Sequence, residues 1–170
     1  SRVYDALKLN GEIVTLSPFI NQDLESFVKE TLGDIYVMTL TKNGYLKKTP
    51  IDEYTSRRNQ KNVRAMKIRE GDELVSGKIV IERKGKGSNL IIYTEKGCFA
   101  YIHSDNIANQ SKVSSGLLSI KLDPDDACKG MIVVGEDDTH LLVITEKGCM
   151  KRCELDYMSG PGKRKVSSYL

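Results

Sequence analysis

LLVITEKGCMKRC at residues 141–153 nearly duplicates LIIYTEKGCFAYI at residues 90–102, and a looser copy, VMTLTKNGYLKKT, stands at residues 37–49. Repetition at a fixed period decides an architecture before any single element does. Anchored on their glycines, the copies fall at Gly44, Gly97 and Gly148, spaced by 53 and 51 residues. KVSSGLL at 112–118 returns as KVSSYL at 165–170, with Val63 of KNVRAMKI in the same phase, and Gly77 and Gly130 are again 53 apart.

Each copy has the composition of short strands broken by turns. IYVMTL, NLIIYT and HLLVIT are β-branched and aromatic runs of strand length. KNG and EKG then supply a hairpin turn whose glycine accepts positive φ, with a two-residue connection as the commonest form. YLKKT, CFAYI and CMKRC return, a polar and basic loop follows, and VRAMKI or GLLSIKL and then LVSGKIVIE or KGMIVVGE complete the unit. About four strands in about 50 residues predict an all-β, propeller-like chain of repeated four-stranded blades. The period divides it into residues 34–82, 83–135 and an incomplete 136–170, preceded by 1–33, which is either a connector or a strand completing a blade. NQDLESFVKETL at 21–32 is the one segment with helical periodicity, a short helix or connector.

The composition, 39% apolar and 29% charged, is that of a globular chain. No apolar run approaches the roughly 20 residues of a membrane span, and SRVYDALKLNGE lacks a signal-peptide core, so the chain reads as cytoplasmic with no membrane partner. The four cysteines form no disulfide framework, and Cys149 and Cys153 are not at zinc-knuckle spacing. Cys98 and Cys149 occupy equivalent repeat positions and read as small buried hydrophobes. With His103 and His140 at no ligand spacing, no metal is expected.

Catalytic constellations are missing from the sequence. GKGSN at 85–89 lacks the ending of a phosphate-binding loop and reads as a hairpin tip. DPDD at 123–126 and GEDD at 135–138 read as turn chemistry on an acidic edge.

What stands out is the sorting of charge. Residues 42–69 hold nine Lys or Arg against two acids, and residues 147–165 hold six against two, while 121–138 hold six acids against two lysines. In the first unit Lys47 and Lys48 follow the turn and Arg57, Arg58, Lys61 and Arg64 lie in the loop. In the third, Lys151 and Arg152 follow the turn and Lys163, Arg164 and Lys165 lie in the loop. Cations repeated in phase along a path suit a row of phosphates with little demand on base identity. The middle unit has Ala100, Tyr101 and Ile102 at the post-turn positions, a weak phosphate contact or a packing site. A generic protein-interaction scaffold of propeller type, with no nucleic-acid role, is the competing class.

TKNGYLKKTPIDEY followed by SRRNQKN, then TEKGCFAYIHSDNI and TEKGCMKRCELDYM, resemble blades of the C-terminal domain of the A subunit of bacterial type IIA topoisomerases, DNA gyrase and topoisomerase IV. The resemblance covers about residues 34–170. It implies a β-pinwheel whose blades exchange strands and whose basic rim binds and bends double-stranded DNA for a catalytic core. It further implies that this chain is not itself an enzyme. The catalytic tyrosine would lie in another domain of the A subunit, and ATP and Mg would be needed only in the holoenzyme, with the ATPase B subunit. The gyrase box, a basic and glycine-rich heptad, matches Ser56 to Asn62 at Arg57, Arg58 and Lys61, but Asn59, Gln60 and Asn62 stand where the family has glycine. That departure weighs against tight wrapping and toward a topoisomerase IV-like or divergent enzyme.

Overall fold

A computed structural model describes residues 22–55, 63–158 and 163–165, with side chains described for 25–54 and 63–156. Strands β1 (Gly33–Thr41), β2 (Tyr45–Pro50) and β3 (Leu74–Arg83) form an antiparallel sheet with β6 (Leu117–Leu118), in the order β3-β1-β2-β6. A second sheet joins β4 (Asn89–Thr94), β5 (Cys98–His103), β7 (Cys128–Val134) and β10 (Lys163–Lys165) in the order β10-β5-β4-β7. β8 (His140–Ile144) and β9 (Met150–Glu154) make a hairpin. Helix α1 (Gln22–Thr31) precedes β1, and single turns α2 (Asp52–Thr55) and α3 (Leu155–Met158) follow β2 and β9. The all-β, repeated-blade architecture is the one expected, and 22–31 is indeed helical.

Each sheet borrows its fourth strand. Leu117 and Leu118, from the second unit, pair with Leu46 and Tyr45 of the first, and Lys163–Lys165, from the third, pair with Ala100, Phe99 and Cys98 of the second. The exchange is the one the resemblance implies, and it changes two readings made from the repeat alone. The four strands of a blade come from two units, and VRAMKI is not a strand: residues 63–68 run beside the borrowed segment, joined to it by the bond from Lys67 N to Ser114 O.

The central strands are apolar on both faces because both faces are covered. In β4, Leu90 and Ile92 pack with Met38, Leu40, Leu46 and Val80 of the first sheet. Ile91, between them, packs instead with Phe99, Cys153 and Leu155, against the β8–β9 hairpin. An unbroken apolar run is the signature of a strand buried on two sides. The outer face of the first sheet, through Ile35, Val37 and Ile79, is closed by Val28 of α1 together with Ile51 and Tyr54.

The three turns share a device that the sequence repeats as Thr-x-x-Gly. The carbonyls of Thr41, Thr94 and Thr145 accept from the amides of Gly44, Gly97 and Gly148. The same threonines' hydroxyls accept from the amides of Tyr45, Cys98 and Cys149, at 3.1, 3.0 and 3.2 Å. Three residues rather than two separate β1 from β2 and β4 from β5, with left-handed glycine last, the three-residue form of hairpin. A carboxylate completes the device: Asp72 accepts from Asn43 N and Glu73 N, and Asp126 from Lys96 N and Ala127 N. Asp126 therefore carries out the turn chemistry expected of DPDD, as Asp138 does for GEDD by accepting from Gly135 N.

Gly44 and Gly97 have similar φ, +89° and +74°, but different surroundings. A Cβ on Gly44 would lie 2.7 Å from the Ile120 carbonyl oxygen of the second unit, whereas one on Gly97 meets nothing within 4 Å. Gly97→Ala is expected to cost about 1 kcal/mol, the left-handed strain alone, and Gly44→Ala distinctly more. Urea unfolding of both variants measures the difference, and equal losses would mean that the contact with Ile120 is not made.

Candidate nucleic-acid interface

Strand β2 carries the first two cations of the expected rim, Lys47 and Lys48, and neither reaches the surface. Lys47 is 0% exposed and Lys48 4%. β2 lies between β1 and β6, and the second unit's segment 109–118 runs along it. Gln110 N donates to the Lys48 carbonyl, and Asn109 bridges to Lys48. The expectation that both lysines face DNA is corrected: they are interior cations.

Their partners differ in kind. Lys48 Nζ donates to Glu82 Oε2 at 2.5 Å and lies 4.1 Å from the centre of the Tyr36 ring, a buried ion pair with an aromatic lid. Lys47 has no carboxylate within bonding reach among the described residues. Its ammonium donates to the carbonyls of Ala65 (2.6 Å), Lys112 (3.1 Å) and Ser111 (3.2 Å), with the Tyr54 hydroxyl at 3.3 Å. Three carbonyls match the three donors of an ammonium. Dipoles do not repay the loss of hydration as an opposite charge would, and burial pushes the group down to about 8, against a weaker upward pull from Glu53.

Cations that do face solvent lie next to the predicted ones. Arg64 is exposed, as are Lys67 and Arg69 farther along the same segment. The charge count over 42–69 contained these last two without singling them out. Arg69 stacks on Tyr45, 4.0 Å from the ring centre, and donates to Ser115 Oγ at 3.1 Å, whereas Arg64 and Lys67 carry no ion pair among the described residues. In the third unit Lys151 and Arg152 are exposed on β9. They stand at the repeat positions of Lys47 and Lys48, but among the described residues no borrowed strand covers them. Arg57, Arg58 and Lys61 lie outside the described residues. Lys163, Arg164 and Lys165 form β10 rather than the expected loop.

The cysteines split. Cys98, Cys128 and Cys153 are buried, as small hydrophobes should be, while Cys149 is exposed on the β8–β9 turn, contrary to expectation. The repeat makes Cys98 and Cys149 equivalent, but only Cys98 lies on a strand flanked on both sides, by β4 and the borrowed β10. Burial, with Asp126 nearby, pushes the Cys128 thiol up to about 12, which leaves it unreactive. Among the described residues no three His, Cys, Asp or Glu side chains converge as a metal site would require.

Lys47 gives a pH test with a definite sign. Its folded value, about 8, lies below the unfolded 10.5, so between those limits the unfolded chain holds more protons and stability rises with pH. From about pH 7.5 to about pH 9.5, wild type should gain on Lys47→Met by at most about 1.4 kcal/mol per pH unit. Parallel urea titrations would show it, and a wild-type loss relative to the variant would contradict the burial.

The sequence matches a family model described as the DNA gyrase C-terminal domain, beta-propeller, over residues 36–81, 88–135 and 139–156, more than half of the chain. The A subunit of DNA gyrase from Helicobacter pylori (strain ATCC 700392 / 26695) is 34% identical over 112 residues, 66% of this chain and 13% of the relative. The A subunit of DNA topoisomerase 4 from Staphylococcus aureus (strain MRSA252) is 29% identical over 124 residues, 73% of this chain and 15% of the relative. The chain thus spans about an eighth to a seventh of the length of these relatives. The solved C-terminal domain of DNA topoisomerase IV superposes with a TM-score of 0.66 at 20% identity, over 78% of this chain and 40% of the other. That of DNA gyrase A gives 0.62 at 21%, over 72% and 39%. Two four-stranded sheets and a hairpin with shared Thr-x-x-Gly turns, borrowed strands and this match together place the chain in the DNA gyrase C-terminal domain family.

Proposed function

We propose that this chain is a non-catalytic module of the A subunit of a type II topoisomerase, one that binds and bends duplex DNA through its phosphates. The observation that carries the reading is the exposed cations of two units, Arg64 and Lys67 in the first and Lys151 and Arg152 in the third, none of them ion-paired among the described residues. The family is that of the gyrase and topoisomerase IV relatives. Arg57, Arg58, Lys61, Lys163, Arg164 and Lys165 belong to the same proposed interface on sequence grounds. Strand cleavage, ATP and Mg are assigned to the rest of the holoenzyme, its catalytic core and its ATPase B subunit, working in the cytoplasm. No described helix is long and apolar enough to cross a membrane.

The physics is counterion release. Each phosphate neutralised adds about 0.9 to the slope of log affinity against log salt, and bending a site of 20 to 30 base pairs by 40 to 90° costs about 1–6 kcal/mol. No recognition helix is among the described elements, so discrimination between sequences should be weak. The scaffold reading draws on Leu142, Ile144 and Met150, exposed on the β8–β9 hairpin. A scaffold, however, gives no reason for exposed cations without acidic partners in two units.

On a duplex of about 40 base pairs, binding should weaken steeply with salt and be indifferent to sequence. Replacing Arg64, Lys67, Lys151 and Arg152 by Ala should lower the slope by about one per cation engaged, equally for unrelated sequences. Fluorescence anisotropy across salt measures both, and an unchanged slope would remove the reading.

A further inference from the structure

We propose that Lys47 is a positioning residue for the exposed pair Arg64 and Lys67: its ammonium draws the Ala65 carbonyl inward and ties it to the second unit, so the first unit's cations are set by docking of its neighbour. The proposal rests on the DNA-binding reading above.

The geometry is that of a clasp. Lys47 Nζ holds Ala65 O from the segment that bears the cations, and Ser111 O and Lys112 O from the arm of the second unit. Tyr54, on α2, donates its hydroxyl to the same Ala65 carbonyl at 2.8 Å. The backbone is thus pinned at Ala65, Met66 turns inward at 3% exposure, and Arg64 and Lys67 on either side point to solvent. Three further bonds join the same pieces: Lys67 N to Ser114 O at 3.1 Å, Lys112 Nζ to Glu53 O at 3.2 Å, and Arg69 Nη1 to Ser115 Oγ at 3.1 Å.

The repeat supplies an internal control. At the equivalent position of the second unit stands Ala100, 6% exposed and in the same kind of central strand. The sheet can therefore be built with a methyl group there, and a buried ammonium without a carboxylate is not a requirement of the fold. Such a group is expensive to desolvate, and its three carbonyl partners lie in the two segments that flank the exposed cations and the borrowed strand. A lysine reaches all three as a point donor, whereas the planar fork of arginine suits a bidentate acceptor.

The test uses the whole chain and two variants, Lys47→Met and Tyr54→Phe, the second removing only the hydroxyl that shares Ala65 O. Hydrogen exchange at the Lys67 amide should quicken about tenfold in Lys47→Met, the weight of one charged hydrogen bond, and less in Tyr54→Phe, with Ile91 and Ile92 amides unchanged. The salt slope on duplex DNA should fall by about two, the share of Arg64 and Lys67. A purely structural role would lower the active fraction and leave the slope as in wild type, and that result overturns the proposal. So does unchanged or uniformly faster exchange. If wild type shows no salt-dependent binding, the DNA reading itself fails, and the exchange result alone decides whether Lys47 sets the segment.

Discussion

Two residues of one unit lying on the central strand of another hold this architecture together. Leu117 and Leu118 extend the first sheet at Leu46 and Tyr45, and the arm that delivers them covers β2 on the side left open by its own unit. Ile120 then seats against Gly44, Gly116 against Leu46 and Met66, and the Ser111 and Lys112 carbonyls over Lys47. No unit could bury its apolar faces alone. Leu90 and Ile92 look toward the first sheet and Ile91 toward the third unit, so the core is a property of the stack. That is the expected energetics of a repeat chain, in which interface terms rival those within each unit.

The same fact divides what the sequence could disclose from what it could not. The period, the turn glycines and the strands NLIIYT and HLLVIT were legible because they are local: left-handed backbone needs glycine, and β-branched runs prefer the extended state. The threonine of Thr-x-x-Gly is equally visible in TEKGC, but only the glycine announces a turn by itself. Lys47 and Lys48 were misplaced because their burial depends on residues more than 60 positions away. Composition assigns lysine to the surface, and almost always correctly. A signal to the contrary was nevertheless present: Ala100, at the phase of Lys47, is a residue that a solvent-facing strand position has no reason to prefer.

Cys98 and Cys149, Lys47 and Lys151, make the converse point. Equivalence in a repeat is equivalence of local conformation, not of environment. Both members of each pair follow the same turn with the same hydrogen bonds, but one of each lies under a borrowed strand. For this reason only some of the cations in the two basic stretches reach the surface. Those on central strands turned inward as structure, and those on connecting segments, with the uncovered β9, turned outward.

The placement of the outward cations has a mechanical consequence under the proposed function. The second sheet is packed between the first sheet and the β8–β9 hairpin, and two lysines of its unit are engaged, Lys129 of β7 with Glu95 and Lys96 of the β4–β5 turn with the Pro124 carbonyl. The exposed cations Arg64 and Lys67 therefore belong to the unit on one side of the second sheet, and Lys151 and Arg152 to the unit on the other. A straight duplex offers its phosphates along a line, and contact with both flanks of an intervening unit favours a curved one. The bend costs about 1–6 kcal/mol, a sum that a few released counterions at each flank can offset only at low salt. Curvature imposed in this way is graded by ionic strength and by the number of units in the stack, rather than by the sequence of the DNA.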